Sequence, residues 1–66
     1  MKECLWYDGT EGVYELLDFD PNGLSNEQVK EKALKCLKDK YGFAEWEMEK
    51  VSETLYLIDI NNLENL

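Results

Sequence analysis

The clearest periodicity in this chain is helical. From about Ser25 to Tyr41, the residues Val29, Ala33, Cys36, Leu37 and Tyr41 fall at i, i+4, i+7, i+8 and i+12, which lays one apolar stripe along a helix. The flanks agree with it. Ser25 and Gln28 form an S-x-x-Q capping box, Leu24 and Val29 occupy the positions of a hydrophobic staple, and Gly42 follows the last turn where a left-handed cap is wanted. Phe43 is placed to fold back on Leu37. At 1.5 Å of rise per residue the helix is about 25 Å long, enough to cover a small sheet.

Elsewhere the period drops to two, in short segments rich in β-branched and aromatic residues and bounded by Gly, Asn, Asp or Ser. These predict strands at about 3–7, 13–19, 45–51 and 54–60. Asp8-Gly9-Thr10-Glu11-Gly12 suits a hairpin between the first two, Asp20-Pro21-Asn22-Gly23 ends the second, and Ser52-Glu53 reads as a second hairpin turn. The order ββαββ implies an α+β fold in which one helix packs on one face of a four-stranded, mainly antiparallel sheet. The segment 54–60, Thr54-Leu55-Tyr56-Leu57-Ile58-Asp59-Ile60, is the most apolar run and reads as an internal strand. The segment 45–51, with Glu45, Glu47, Glu49 and Lys50, reads as an edge that resists pairing with another chain. At 66 residues there is core enough for one domain only.

Charge changes the picture most. Fifteen Asp and Glu stand against seven Lys, with no Arg and no His, for a net charge of −8. Residues 25–41 hold five Lys and three acids, a sum of +2, so the remainder carries −8 − 2 = −10. That distribution predicts a mildly basic helical side and a strongly acidic surface of strands, turns and tail. Read as a strand, Glu45, Glu47 and Glu49 form a row on one face, about 6.6 Å apart, while Trp46 and Met48 point at the helix. The row alone is about half as dense in charge as a single DNA strand. Mimicry of nucleic acid needs Asp8, Glu11, Asp18, Glu53 and Asp59 to join it.

One helix covers one sheet face, so some of Leu5, Tyr7, Tyr14, Leu55 and Leu57 are expected on the open face beside the acids, with Tyr7 and Tyr56 as candidate anchors. The alternatives are a solvated acidic face with ordinary cross-strand aromatic pairs, or self-association through the open face as a weak dimer or a small assembly module.

The absence of Arg and His removes the usual general base, the commonest metal imidazole and the bidentate phosphate fork. The hydroxyls and the thiols of Cys4 and Cys36 have no His to activate them, so no catalytic residue is assigned and the chain reads as a non-enzyme without a cofactor. A surface this negative repels nucleic acid and anionic membranes, and there is neither an apolar run near 18 residues nor a signal-peptide-like start. The expected setting is the cytoplasm, with both cysteines free, and the expected partner is a basic protein held in a salt-sensitive way.

Two resemblances follow. Asp18-Phe19-Asp20-Pro21-Asn22-Gly23 resembles the first half of an EF-hand loop, which implies calcium ligands at Asp18, Asp20 and Asn22, with Glu27 able to add a carboxylate. The position of the bidentate Glu is Val29, however, and Asp-Pro-Asn-Gly is a good β-turn by itself. In size, acidity and mixed architecture the whole chain resembles the small acidic inhibitors of phages and mobile elements, anti-CRISPR proteins and other DNA mimics. That resemblance implies a non-catalytic phage protein, acting in the host cytoplasm, that blocks a nuclease complex or its nucleic-acid-binding subunit. The contacts it implies are Glu45, Glu47, Glu49, Glu53, Asp59, Asp8 and Glu11, with Tyr7 and Tyr56. The lysine-bearing helix departs from a surface that mimics nucleic acid on all sides.

Overall fold

The first strand, β1, runs from Lys2 to Asp8 and alternates as its sequence dictates: Cys4 and Trp6 are buried, while Leu5 and Tyr7 lie half-buried on the opposite face. The computed structural model describes residues 1–66. It continues with β2 (Val13–Leu16), α1 (Asn26–Tyr41), α2 (Glu45–Ser52), β3 (Leu55–Asp59) and β4 (Asn62–Asn65). The four strands form one antiparallel sheet in the order β2-β1-β3-β4, the α+β arrangement that the alternation predicted. The most apolar run is internal, as expected, since β3 lies between β1 and β4.

The predicted long helix is present with its predicted ends. Ser25 accepts the Gln28 N–H at 3.2 Å, while the Gln28 side chain accepts the Ser25 N–H at 2.9 Å. Gly42 closes the helix at φ 67°, donating to the Lys38 carbonyl at 2.8 Å, a left-handed position suited to Gly. Val29, Ala33 and Leu37 are buried against Cys4, Trp6, Leu55 and Leu57, with Leu17 and Val51 completing the core. Cys36 is half-buried, and Tyr41 is exposed at the end of the stripe. Both cysteines are free.

Four local expectations are corrected. Residues 45–51 form α2, not an edge strand. Ala44, Met48 and Val51 sit at i, i+4 and i+7, and a run of Glu, Met and Lys favours helix, so two alternating apolar residues were too few to hold strand geometry. Ser52-Glu53 is therefore the exit of α2 into β3, and not a hairpin turn. The fourth strand is instead Asn62–Asn65, which pairs with β3 through the turn at Ile60 and Asn61. Strand β2 also stops at Leu16, three residues short of the predicted end: the Leu17 N–H still reaches the Cys4 carbonyl at 3.0 Å, but the Phe19 N–H turns back to the Leu17 carbonyl at 3.0 Å and the extended course ends there.

Candidate protein-interaction surface

The register fixes which side chains share the open face of the sheet. Tyr7 lies opposite Tyr14, Leu5 opposite both Leu16 and Tyr56, and Ile58 opposite both Glu3 and Leu63. No helix covers them. The rings of Tyr7 and Tyr14 are 5.0 Å apart and those of Tyr14 and Tyr56 5.7 Å, so three tyrosines form one strip across β2, β1 and β3. The expectation for Leu5, Tyr7 and Tyr14 is met, and both anchors, Tyr7 and Tyr56, belong to the strip. Leu55 and Leu57 are the correction: both are buried on the helix side, because they pair with Trp6 and Cys4. Tyr14, the central ring, was not among the candidate contacts, although its place opposite Tyr7 in the first hairpin was the available signal.

The second feature is a cleft of about 600 Å³ where α2 and the β1–β2 turn meet at one end of the sheet. Its apolar lining includes Trp6, Tyr41, Phe43 and Trp46. Trp6, Tyr41 and Phe43 form a closed triangle of rings with centroids 5.2–5.8 Å apart, and Trp46 on α2 is 69% exposed above them. The Trp6 indole N–H donates to Thr54 Oγ1 at 3.0 Å, which pins that ring to the start of β3. Sequence alone had Trp46 pointing at the long helix, since strand alternation placed it there.

Carboxylates complete the cleft. Asp8, Glu11 and Glu47 line it against one cation, Lys50. Asp8 Oδ1 accepts the N–H groups of Thr10 and Glu11, at 3.0 and 3.3 Å, and the Gly12 N–H returns to the Asp8 carbonyl at 2.7 Å. These bonds hold the turn rigid. Glu47 Oε1 accepts the Ala44 N–H at 2.9 Å and so fixes the start of α2, where Ala44 has no acceptor of its own.

Of the nine candidate contacts, Tyr7, Asp8, Glu11 and Glu47 thus meet at the cleft, and Glu53 stands in the turn just before Thr54, which also lines it. The acidic row does not exist. On a helix, residues at i and i+4 share a side while i+2 lies opposite, so Glu45 and Glu49 face one way and Glu47 the other. Glu45 is moreover bound by the Lys38 ammonium at 2.6 Å, which holds its carboxyl below the usual range and raises the lysine. Asp59 is at the far end of the sheet, in register with Lys2 and 3.5 Å from the Met1 amino group.

Nor does the calcium alternative come together at Asp18, Asp20, Asn22 and Glu27. Asp20 Oδ1 is occupied by the Asn22 backbone and side-chain N–H groups, at 2.9 and 2.6 Å, which depress its pKa. The Asn22 side chain clamps the backbone of Lys2, and no group of three or more His, Cys, Asp or Glu is placed to hold a metal ion. The loop is a turn that ties α1 to β1.

These features define a two-layer α+β domain with an aromatic, acid-rimmed end and an uncovered tyrosine-bearing sheet face. The chain matches no protein-family model, no curated protein and no solved structure. No helix is long and apolar enough to cross a membrane.

Proposed function

We propose that this chain is a non-catalytic binding protein that docks on a basic, nucleic-acid-binding protein or complex in the cytoplasm and blocks it, in the manner of the anti-CRISPR proteins and DNA mimics it resembles. The observation that carries this reading is the way the acids divide. Glu15, Glu45 and Asp59 have cationic partners within the molecule and the other twelve acids have none; of those twelve, Asp8, Glu11 and Glu47 line the cleft with the exposed rings of Tyr41 and Trp46, and Glu53 stands next to it in sequence. Carboxylates left free around aromatics supply both the steering charge and the anchoring contact of an interface. Without a regular ladder of acids, inhibition here is occupation of a basic surface, not charge-for-charge imitation of a duplex.

Capture from a host lysate tests this. A basic protein retained at low salt, released at high salt, and lost by the combined Glu11→Gln, Glu47→Gln and Glu53→Gln variant is the expected result. Capture indifferent both to salt and to the three substitutions overturns the reading. A second reading, self-assembly, is favoured by the uncovered strip of Leu5, Tyr7, Tyr14, Leu16, Tyr56 and Ile58. Sedimentation at micromolar concentration decides it: a dimer that the Tyr14→Asp variant dissociates supports assembly, and a monomer removes it.

A further inference from the structure

We infer that the cleft between α2 and the β1–β2 turn is a receptor for an arginine side chain projected by a protein partner. The inference rests on the proposed docking to a basic partner and specifies which group enters which site. The volume, about 600 Å³, is within the 300–1,000 Å³ of small-molecule sites and ample for one guanidinium and its stem.

What the rings offer is their faces. The Trp6 N–H is already given to Thr54, and the Tyr41 hydroxyl is given to Glu15, so neither supplies a free donor to the cleft. A π face attracts a cation placed within about 6 Å of its centroid. The molecule already uses this chemistry next door, where the Lys40 ammonium lies 5.3 Å from the Tyr41 centroid while paired with Glu15 at 3.0 Å. In the cleft the same two ingredients, ring faces and carboxylates, are present with three acids against one lysine, and Lys50 forms no ion pair.

Guanidinium fits this site better than ammonium does. It is planar and weakly hydrated, stacks flat on an indole, and presents a fork of donors to carboxylates on two walls. Glu11 in the turn and Glu47 on α2 are those walls, and Trp46, 69% exposed, is a stacking surface that no other side chain of the core covers. A stretch of partner carrying one arginine therefore gains an ion pair and a stacked ring together.

The test uses the full chain and a capped peptide with one arginine among glycines and serines, followed by tryptophan fluorescence and by the chemical shifts of the two indole N–H groups. Three matched peptides carry lysine, citrulline or alanine in place of the arginine. The expected result is saturable binding of the arginine peptide with the largest shift at Trp46, several-fold weaker binding with lysine, and none with citrulline or alanine. Trp46→Ala, at an exposed position, should weaken binding about five- to thirtyfold, and Glu11→Gln should weaken it and flatten its salt dependence. No binding of the arginine peptide, equal binding of the citrulline peptide, or an unchanged affinity in Trp46→Ala overturns the inference. If a basic protein is nevertheless captured from lysate in the salt-sensitive way described above, the proposed function stands and only its assignment to the cleft is lost.

Discussion

A proline placed at two positions of α2 separates a helix from the acidic strand that the alternation suggested. In an α-helix the N–H of residue 49 bonds the carbonyl of residue 45, so Glu49→Pro removes that bond and drives its ring into the preceding turn, costing about 3 kcal/mol or more. Glu45 is the first helical residue, where the N–H has no partner within the helix and proline's fixed φ is already suitable. Ala44, before it, sits at φ −72° and ψ 161°, the extended geometry that a residue preceding proline prefers. Glu45→Pro loses only the solvent-exposed Lys38 contact. A 66-residue domain has a total stability of about 3–10 kcal/mol, and each kcal/mol is worth about 4–8 °C in Tm at this size. Thermal melts by far-UV circular dichroism should therefore show Glu49→Pro falling by about 12–24 °C or failing to fold, with Glu45→Pro close to the parent. In an edge strand, residues 45 and 49 have the same parity, so with their N–H groups turned to solvent both prolines are tolerated and Glu49→Pro leaves the melt undisturbed. Equal shifts, or an undisturbed Glu49→Pro, refute the helix.

Three further outcomes are expected. Ile60 is β-branched at φ 59° and 81% exposed in the β3–β4 turn, so Ile60→Asn should relieve left-handed strain and raise stability by about 1 kcal/mol in urea titrations. Thr54→Val removes the acceptor of the Trp6 indole and should destabilise the domain by about 1–3 kcal/mol, with a shifted tryptophan emission as the direct readout. Burial, and then the nearby Cys36, push the Cys4 thiol from 9.0 up to about 11. A folded pKa above the unfolded one means stability that is intact below pH 9 and declines as the pH rises toward 11, a slope that Cys4→Ala should reduce in denaturation curves measured across that range.

The elements legible in the sequence are those where local chemistry and tertiary burial agree. In α1 the stripe, the capping box and Gly42 all point one way, and in β3 the run from Leu55 to Asp59 is apolar enough to require a central place. The segment Glu45-Trp46-Glu47-Met48-Glu49 satisfies a period of two over only five residues. The helical spacing of Ala44, Met48 and Val51 shows only when the window is extended at both ends. Strand β4 was hidden for the opposite reason. Asn62, Glu64 and Asn65 have low strand propensity, and they extend because β3 offers an unpaired edge. The candidate site inherited both effects. The turn acids Asp8 and Glu11 were found because turns are local, whereas the cleft joins Trp6, Tyr41, Phe43 and Trp46 from β1, the end of α1, the α1–α2 link and α2, a meeting that no short-range pattern encodes.

Placing the charges on the fold also alters what the net −8 means. Two of the five lysines on α1 leave its basic surface, Lys38 to meet Glu45 on α2 and Lys40 to meet Glu15 on β2, and each neutralises an acid at the border of the helix. The lysines left without ion pairs on α1 are Lys30, Lys32 and Lys35, toward the start and middle of the helix, while α1 ends at Tyr41 on the cleft. Unpaired acids stand at both ends of α1: Glu11, Glu47 and Glu53 toward Tyr41, and Asp18, Asp20, Glu27 and Glu31 toward its start. The cleft end is thus set apart by the exposed rings beside its acids and not by charge alone. Glu45, conspicuous in the sequence, is tied to Lys38, whereas Glu11, in a five-residue turn, lines the cleft with no cationic partner in the molecule.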